Sequence, residues 1–341
     1  MATIRKFIIT RVALTIPIIL ILLTIVFLIL RVLPGDPISA MLGGKAIPPE
    51  VLVAKRQALE AELGFDKPLY LQYVYYLADI VRGDFGVSSR TFRPVIEDLA
   101  YKFPATIELA IFSMIIAVII GLLGGVFASK HQNKIADHGI RVFGIAVFSM
   151  PIFWLGLIFQ LIFCVYLDIL PAGGRLSPLI DLQEVTGFYV LDSLITWNMP
   201  ALVDVLKHLV LPAFTLGLVQ SSLLTRMTRV NMIDTLAQDY TSAARARGLP
   251  ESKVTHNYAL RNALIPIVTI MGLQFAILMA GAVLTEATFN WPGIASYLIQ
   301  GLHNRDFNVI QGTVVFIAIF IALVSLAVDI AYAWLDPRIR Y

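Results

Sequence analysis

The residues most able to recognise a charged surface cluster in one stretch. It reads Asp239-Tyr240-Thr241-Ser242-Ala243-Ala244-Arg245-Ala246-Arg247-Gly248-Leu249-Pro250-Glu251-Ser252-Lys253. The first part is rich in helix formers and is expected to stay helical to about Arg247. Gly248 can take the left-handed conformation that ends a helix. Pro250 suits the first turn of a new one, with Glu251 at its positive end. Ala243 and Ala244 keep the surface low beside the turn, so a partner backbone can come close. Arg245, Arg247 and Lys253 supply charge around it. The pattern fits a knob that plugs a groove in a soluble subunit. For Ala-Ala-x-x-x-Gly alone, a solvated helical hairpin is the plainer reading.

Elsewhere the expected chemistry is missing. Gly44-Lys45 is followed by Ala46, and Ser39 stands where a phosphate-binding loop needs its first glycine. His131, His138, His208, His256 and His303 are scattered, and none belongs to an HExxH pattern. The single Cys164 sits in an apolar run and has no partner for an internal disulfide. Glu108 and Asp329 fall near the ends of apolar runs, where both are expected to reach headgroups or water. No ionisable group is expected deep in the membrane, as ion-coupled carriers usually require. Any uphill transport must then draw its energy from another subunit. Neutral polar side chains in the apolar runs are Gln160, Gln220, Ser221, Ser222 and Gln274. They could line a pathway and meet peptide donors and acceptors, although helix-to-helix hydrogen bonding is the plainer role for each.

These residues are carried by a greasy chain. Of 341 residues, 58% are hydrophobic and 14% charged, and the mean hydropathy is +0.81. A soluble domain carries nearly twice that charge. The net charge of +3 gives no sign of a nucleic-acid partner. Apolar runs at about 8–30, 107–129, 140–166, 207–228, 264–286 and 309–334 are each long enough to cross a 30 Å hydrocarbon core as helix. The expected fold is therefore an all-α integral membrane protein of six transmembrane helices. Basic residues fix its orientation. Arg5, Lys6 and Arg11, the 130–141 and 226–261 connections, and Arg338 and Arg340 fall on one side; Arg175 and Arg305 fall on the other, with Lys207 at an interface. Both termini are expected in the cytoplasm, with residues 31–106 outside. That outer region should hold a helix over 48–63, started by Pro48-Pro49-Glu50 and stopped at Gly64, and another over 69–81, ended by Gly83. Gly121 and Gly125 suit close helix packing. Trp154, Trp291 and Trp334 are expected as interface anchors.

Ser242-Ala243-Ala244, three residues, then Gly248 resembles the "EAA" loop of ABC importer permeases, with Ser in place of Glu. Leu33-Pro34-Gly35-Asp36-Pro37, Leu63-Gly64-Phe65-Asp66-Lys67-Pro68-Leu69, Gly83-Asp84-Phe85-Gly86, Ala259-Leu260-Arg261-Asn262-Ala263, Phe289-Asn290-Trp291-Pro292-Gly293 and Asp336-Pro337-Arg338 extend the match along nearly the whole chain. In order and spacing they resemble the first permease subunit of dipeptide/oligopeptide ABC importers. The later proline of the family's loop is absent, since Tyr258-Ala259-Leu260-Arg261 stands there.

The resemblance implies a type I importer permease fold with a helical extracytoplasmic insertion between helices 1 and 2. The divisions are then 1–30, 31–106, 107–334 with a coupling loop at about 229–262, and the tail 335–341. It implies a second homologous permease, two ATPase subunits carrying ATP and magnesium, and an external solute-binding protein. The chain itself would hold no cofactor, metal or catalytic residue, and would lie in the plasma (inner) membrane. Coupling would fall on Ser242, Ala243, Ala244, Arg245, Arg247, Gly248, Leu249 and Lys253. Another solute, such as an oligosaccharide, a nickel chelate or glutathione, is the alternative cargo. Two other readings lack their residues: an ion-coupled secondary carrier wants buried carboxylates and matching half-helices, and a Ser–His membrane hydrolase wants a histidine mid-span beside Ser113 or Ser149.

Overall fold

The computed structural model describes residues 2–32, 66–281 and 283–335, with isolated positions between 53 and 60. Among these there is no β-strand; Val87 and Pro94 form an isolated bridge. The helices are α1 (Ala2–Val32), α2 (Leu69–Arg82), α3 (Val95–Lys130), α4 (Ile135–Ser149), α5 (Ile152–Gln160), α6 (Tyr189–Ile195), α7 (Met199–Leu236), α8 (Asp239–Ala246), α9 (Glu251–Lys253), α10 (Arg261–Gly281), α11 (Val283–Thr288), α12 (Ile294–Asn304) and α13 (Phe307–Leu335). A π-helical turn, Leu161–Tyr166, extends α5, and another, Val254–Leu260, joins α9 to α10.

Among the described residues, five helices are long and apolar enough to cross a membrane, or six if α4 and α5 with its π-turn count as one span. That pair is bent by 100°. The single straight span expected at 140–166 is thus corrected. Pro151 stands at the break with Met150 extended before it, because proline has no N–H for the ladder and pushes its predecessor out of helical geometry. The span expected at 264–286 also breaks, ending as α10 at Gly281 and resuming as α11.

The spine of the bundle is α3 against α7. A Cβ on Gly121 would lie 2.5 Å from Leu224 Cβ, and one on Gly125 would lie 2.4 Å from Thr228 Cβ. Gly217 meets the backbone of Ser113 in the same way. Residue numbers rise together on both helices, so they run parallel, and the expected small-residue packing is realised. In a bilayer lipid tails are as apolar as side chains, so such close van der Waals approach is a main source of helix association. At 36 and 38 residues these helices span about 54 and 57 Å. They overhang a 30 Å hydrocarbon core.

α10 runs antiparallel to α7, and α13 crosses α10 where Gly272 admits Val328. α1 lies along α13: Leu23 and Phe27 pack with Tyr76 of α2 and Val315. Arg11 pairs with Asp329 at 3.2 Å near the other end. Asp329 is thus half-exposed, as expected, but it is paired. α2 begins after Pro68 and ends at Gly83, φ +76, one residue beyond expectation. The helix expected over 48–63, and the motifs at 33–37 and 336–338, lie outside the described residues apart from the isolated positions named above.

Candidate functional site

At the end of the bundle reached by Lys130 and Leu236, α7 stops and the chain turns into a hairpin. Thr241 Oγ1 donates to the carbonyls of Leu236 and Gln238, at 2.9 and 2.6 Å, and fastens α8 to α7. α8 buries Ala244, 2% exposed, and leaves Ser242, Ala243, Arg245, Ala246 and Arg247 in the open. Gly248 closes the turn at φ +75, with its N–H on Arg245 O at 2.9 Å and the Leu249 N–H on Ala244 O at 3.3 Å. A Cβ there would meet nothing within 4 Å, so glycine answers to backbone conformation and not to space. Pro250 sits just before α9 rather than inside its first turn.

Arg245 does not project freely. Its Nε and one terminal nitrogen donate to the two carboxylate oxygens of Glu251, at 3.1 and 2.9 Å, and the other reaches Leu236 O at 3.4 Å. The carboxylate holds the Arg245 proton more tightly than usual. Arg247 and Lys253 remain exposed on either side of the turn. The return leg is anchored: Val254 and Ala259 are fully buried. Ala259 joins Ala117, Leu224, Met232, Ala263 and Ile267 in one cluster shared by α3, α7 and α10. The knob is therefore exposed at its tip and continuous with the bundle at its base.

The five polar pathway candidates are not gathered into one site. Gln274, 4% exposed on α10, donates its amide to Gln220 Oε1 on α7 at 2.8 Å. Ser221 is buried and returns its hydroxyl to Leu218 O at 2.6 Å. Ser222 lines a groove between α4 and α7. Gln160 donates to Ala172 O and Thr288 O, at 2.6 and 3.1 Å, and so pins a loop at the opposite end of the bundle.

That opposite end is a layer of buried charge that the sequence reading missed. Glu108 is 2% exposed, which corrects its expected contact with water. It accepts from Arg175 at 2.7 and 3.0 Å and from Val190 N at 2.8 Å. The Arg175 guanidinium, 6% exposed, also donates to Gly187 O and lies 3.8 Å from the Tyr189 ring centroid. Burial, with Glu184 as hydrogen-bond acceptor, pushes the Tyr189 hydroxyl up. Glu286 is fully buried and accepts from Thr106 Oγ1 at 2.6 Å and Ser296 N at 2.9 Å. Gly293 packs so tightly on that carboxylate that no Cβ would fit. Trp291 is 0% exposed and donates Nε1 to Ala105 O at 2.8 Å, so it is a core residue and not the expected interface anchor. Trp154 is half-exposed on α5; the side chain of Trp334 lies outside the described residues. These carboxylates belong to the bundle's end and not its middle. Each accepts from a backbone amide in the first turn of a short helix, together with an arginine for Glu108 and a hydroxyl for Glu286, which is how a buried carboxylate becomes tolerable.

Residues 117–341 match the family described as "Binding-protein-dependent transport system inner membrane component". Residues 4–110 match that described as "Binding-prot-dependent transport system membrane comp, N-term". The chain is 41% identical over 336 residues to the di/tripeptide transport system permease protein of Pseudomonas aeruginosa, covering 98% of this chain and 99% of that one. It is 39% identical over 339 residues to the dipeptide transport system permease protein of Escherichia coli K12, again over 98% and 99%. The glutathione transport system permease protein of Escherichia coli O1:K1 is 35% identical over 336 residues, covering the same shares.

Proposed function

Since the chain belongs to the family of inner membrane components of binding-protein-dependent transport systems, we propose that it is the peptide-translocating permease of an ATP-driven importer. It is a multi-pass membrane protein with several apolar helices. The observation that carries the peptide reading is the match along nearly the full length to di- and tripeptide permeases at 41% and 39% identity. The glutathione permease matches less closely, at 35%, and its named cargo is itself a small peptide.

In this reading the hairpin Asp239–Lys253 faces the cytoplasm and docks in a groove of an ATPase subunit that carries ATP and magnesium. Ser242, Ala243, Arg247, Gly248 and Lys253 form its contact surface, with Leu249 beside them. Arg245 and Glu251 brace the turn, and Ala244 seats it. Closure of the ATPase pair pushes the hairpin as a lever. The push enters the bundle through Ala259 and the cluster it shares with α3, α7 and α10. A second homologous permease completes the pathway, and the bundle then switches the side to which its cavity opens. Such a switch needs each ligand to favour one state. Both termini lie in the cytoplasm, and the layer around Glu108 and Glu286 faces the solute-binding protein. Its bonds suit a firm platform: Arg175 and Trp291 tie loops to α3, and Thr106 of α3 holds α11 through Glu286. Gln220 and Gln274 are the polar pair that remains along the pathway.

The test is uptake of a labelled dialanine into liposomes holding the assembled complex. Uptake should require ATP at the hairpin side and the binding protein at the other. Uptake by the purified chain alone, driven by an ion gradient, would overturn the reading.

A further inference from the structure

A groove of about 220 Å³ runs between α4 and α7 near the hairpin end of the bundle. The two helices are antiparallel there, with Asp137 against Arg229 and Gly144 against Ser222. Along α4, Arg141 is followed by Gly144, Ile145 and Phe148 as the chain leaves the hairpin end; along α7, Arg229, Arg226, Leu223 and Ser222 succeed one another in the same direction. Both walls therefore change together, from cationic at the rim to apolar toward the middle of the bundle. Three arginines face one carboxylate at the rim. Asp137 is taken up by Arg229, with a 2.7 Å bond, and lies 3.9 Å from Arg141. Arg226 is exposed and makes no hydrogen bond or ion pair among the described residues. His138 touches Arg141 and adds no negative charge. Ile145 and Phe148 are largely exposed, and Gly144 leaves the floor open, since a Cβ there would find only Ser222 at 3.9 Å.

We propose that this groove holds an anionic phospholipid, with its phosphate on Arg141 and Arg226 and an acyl chain on Gly144, Ile145, Phe148 and Leu223. The charge gradient decides the occupant. A phospholipid of the hairpin-side leaflet presents the same order, anionic group at the surface and hydrocarbon below it, and basic pockets between transmembrane helices take such headgroups. A soluble anion would use the rim and leave the apolar floor bare. The inference rests on the hairpin end lying at a bilayer surface, but not on the cargo, so peptide uptake and lipid binding can fail separately.

The assembled complex, delipidated and titrated with phosphatidylglycerol or phosphatidylcholine, is read by native mass spectrometry. Phosphatidylglycerol should bind more tightly. Arg226→Gln and Arg141→Gln should each weaken it by about fivefold at low salt and weaken phosphatidylcholine less, because its choline offsets the phosphate charge. Gly144→Leu should fill the floor and weaken both lipids without altering charge. Equal binding of the two lipids by the unaltered complex would overturn the proposal and leave the groove as a contact between permeases. A preference that survives the double arginine substitution would overturn it too. So would a Gly144→Leu complex that binds both lipids as before, because the acyl chain would then lie elsewhere.

Discussion

Arg245 and Glu251 face each other across the Gly248 turn and share two hydrogen bonds, 2.9 and 3.1 Å long. The pair joins the outgoing and returning legs of the hairpin at the point where the backbone reverses. Both side chains are well exposed, so water screens the attraction and the pair contributes at most about 1 kcal/mol. Its effect should be local. Arg245→Gln or Glu251→Gln should leave the bundle's thermal stability unchanged within error. Hydrogen exchange of the peptide spanning 239–253 should quicken several-fold in both. Unchanged exchange in both variants would show that the glycine turn needs no brace.

Arg175 and Glu108 form the contrasting pair, since both are almost fully buried. Removing one partner leaves a buried charge with no counterpart, which typically costs about 3–5 kcal/mol. Arg175→Met should therefore lower the thermal unfolding midpoint in detergent sharply. The double variant Arg175→Met with Glu108→Gln should recover much of the loss. Equal loss in the single and double variants would assign the role to Arg175's contacts with Gly187 and Tyr189.

Gly125 and Gly139 separate close approach from helix propensity. A Cβ at Gly125 would strike Thr228, while one at Gly139 would meet nothing within 4 Å. Gly125→Ala should destabilise α3 against α7 by about 1–3 kcal/mol. Gly139→Ala should be neutral or stabilising by up to about 1 kcal/mol, the ordinary preference of a helix for alanine. Thermal unfolding of the two purified variants decides between them.

Gln220 and Gln274 bond to each other across α7 and α10. Interhelical polar bonds of this kind average about 0.6 kcal/mol. Replacing both by leucine should change stability by less than about 1 kcal/mol. If the pair meets peptide in transit, dipeptide uptake by the complex should fall several-fold while ATPase stimulation by the binding protein persists. Uptake at the unaltered rate would leave the pair a helix-to-helix bond and nothing more.

Much of this arrangement is legible before any coordinates. Gly83 ends α2, and Gly121 and Gly125 mark the α3–α7 contact, because glycine and small residues act through the local backbone. The hairpin is legible for the same reason: its turn is set by Gly248 itself. The bend between α4 and α5 had a local signal too, Pro151, which a continuous apolar run conceals. The buried charges had none. Glu108 looks like the end of an apolar stretch, and only the fold brings Arg175 to it from 67 residues away. Trp291 resembles an interface anchor until Ala105 O, 186 residues distant, takes its N–H. Partners so remote in sequence leave no mark in the composition around either residue.

The coupling role of the hairpin is the central claim, and Gly248→Val tests it most directly. A β-branched residue at φ +75 is strained by its own backbone by about 1–2 kcal/mol, in a place where no neighbour is crowded. The measurement pairs dialanine uptake with binding-protein-stimulated ATPase activity in liposomes holding the assembled complex, with Gly248→Asn as the variant that tolerates the turn. Gly248→Val should assemble normally and lose uptake and its link to ATP hydrolysis, while Gly248→Asn keeps both. A Gly248→Val complex with unaltered uptake and stimulated hydrolysis would contradict the account.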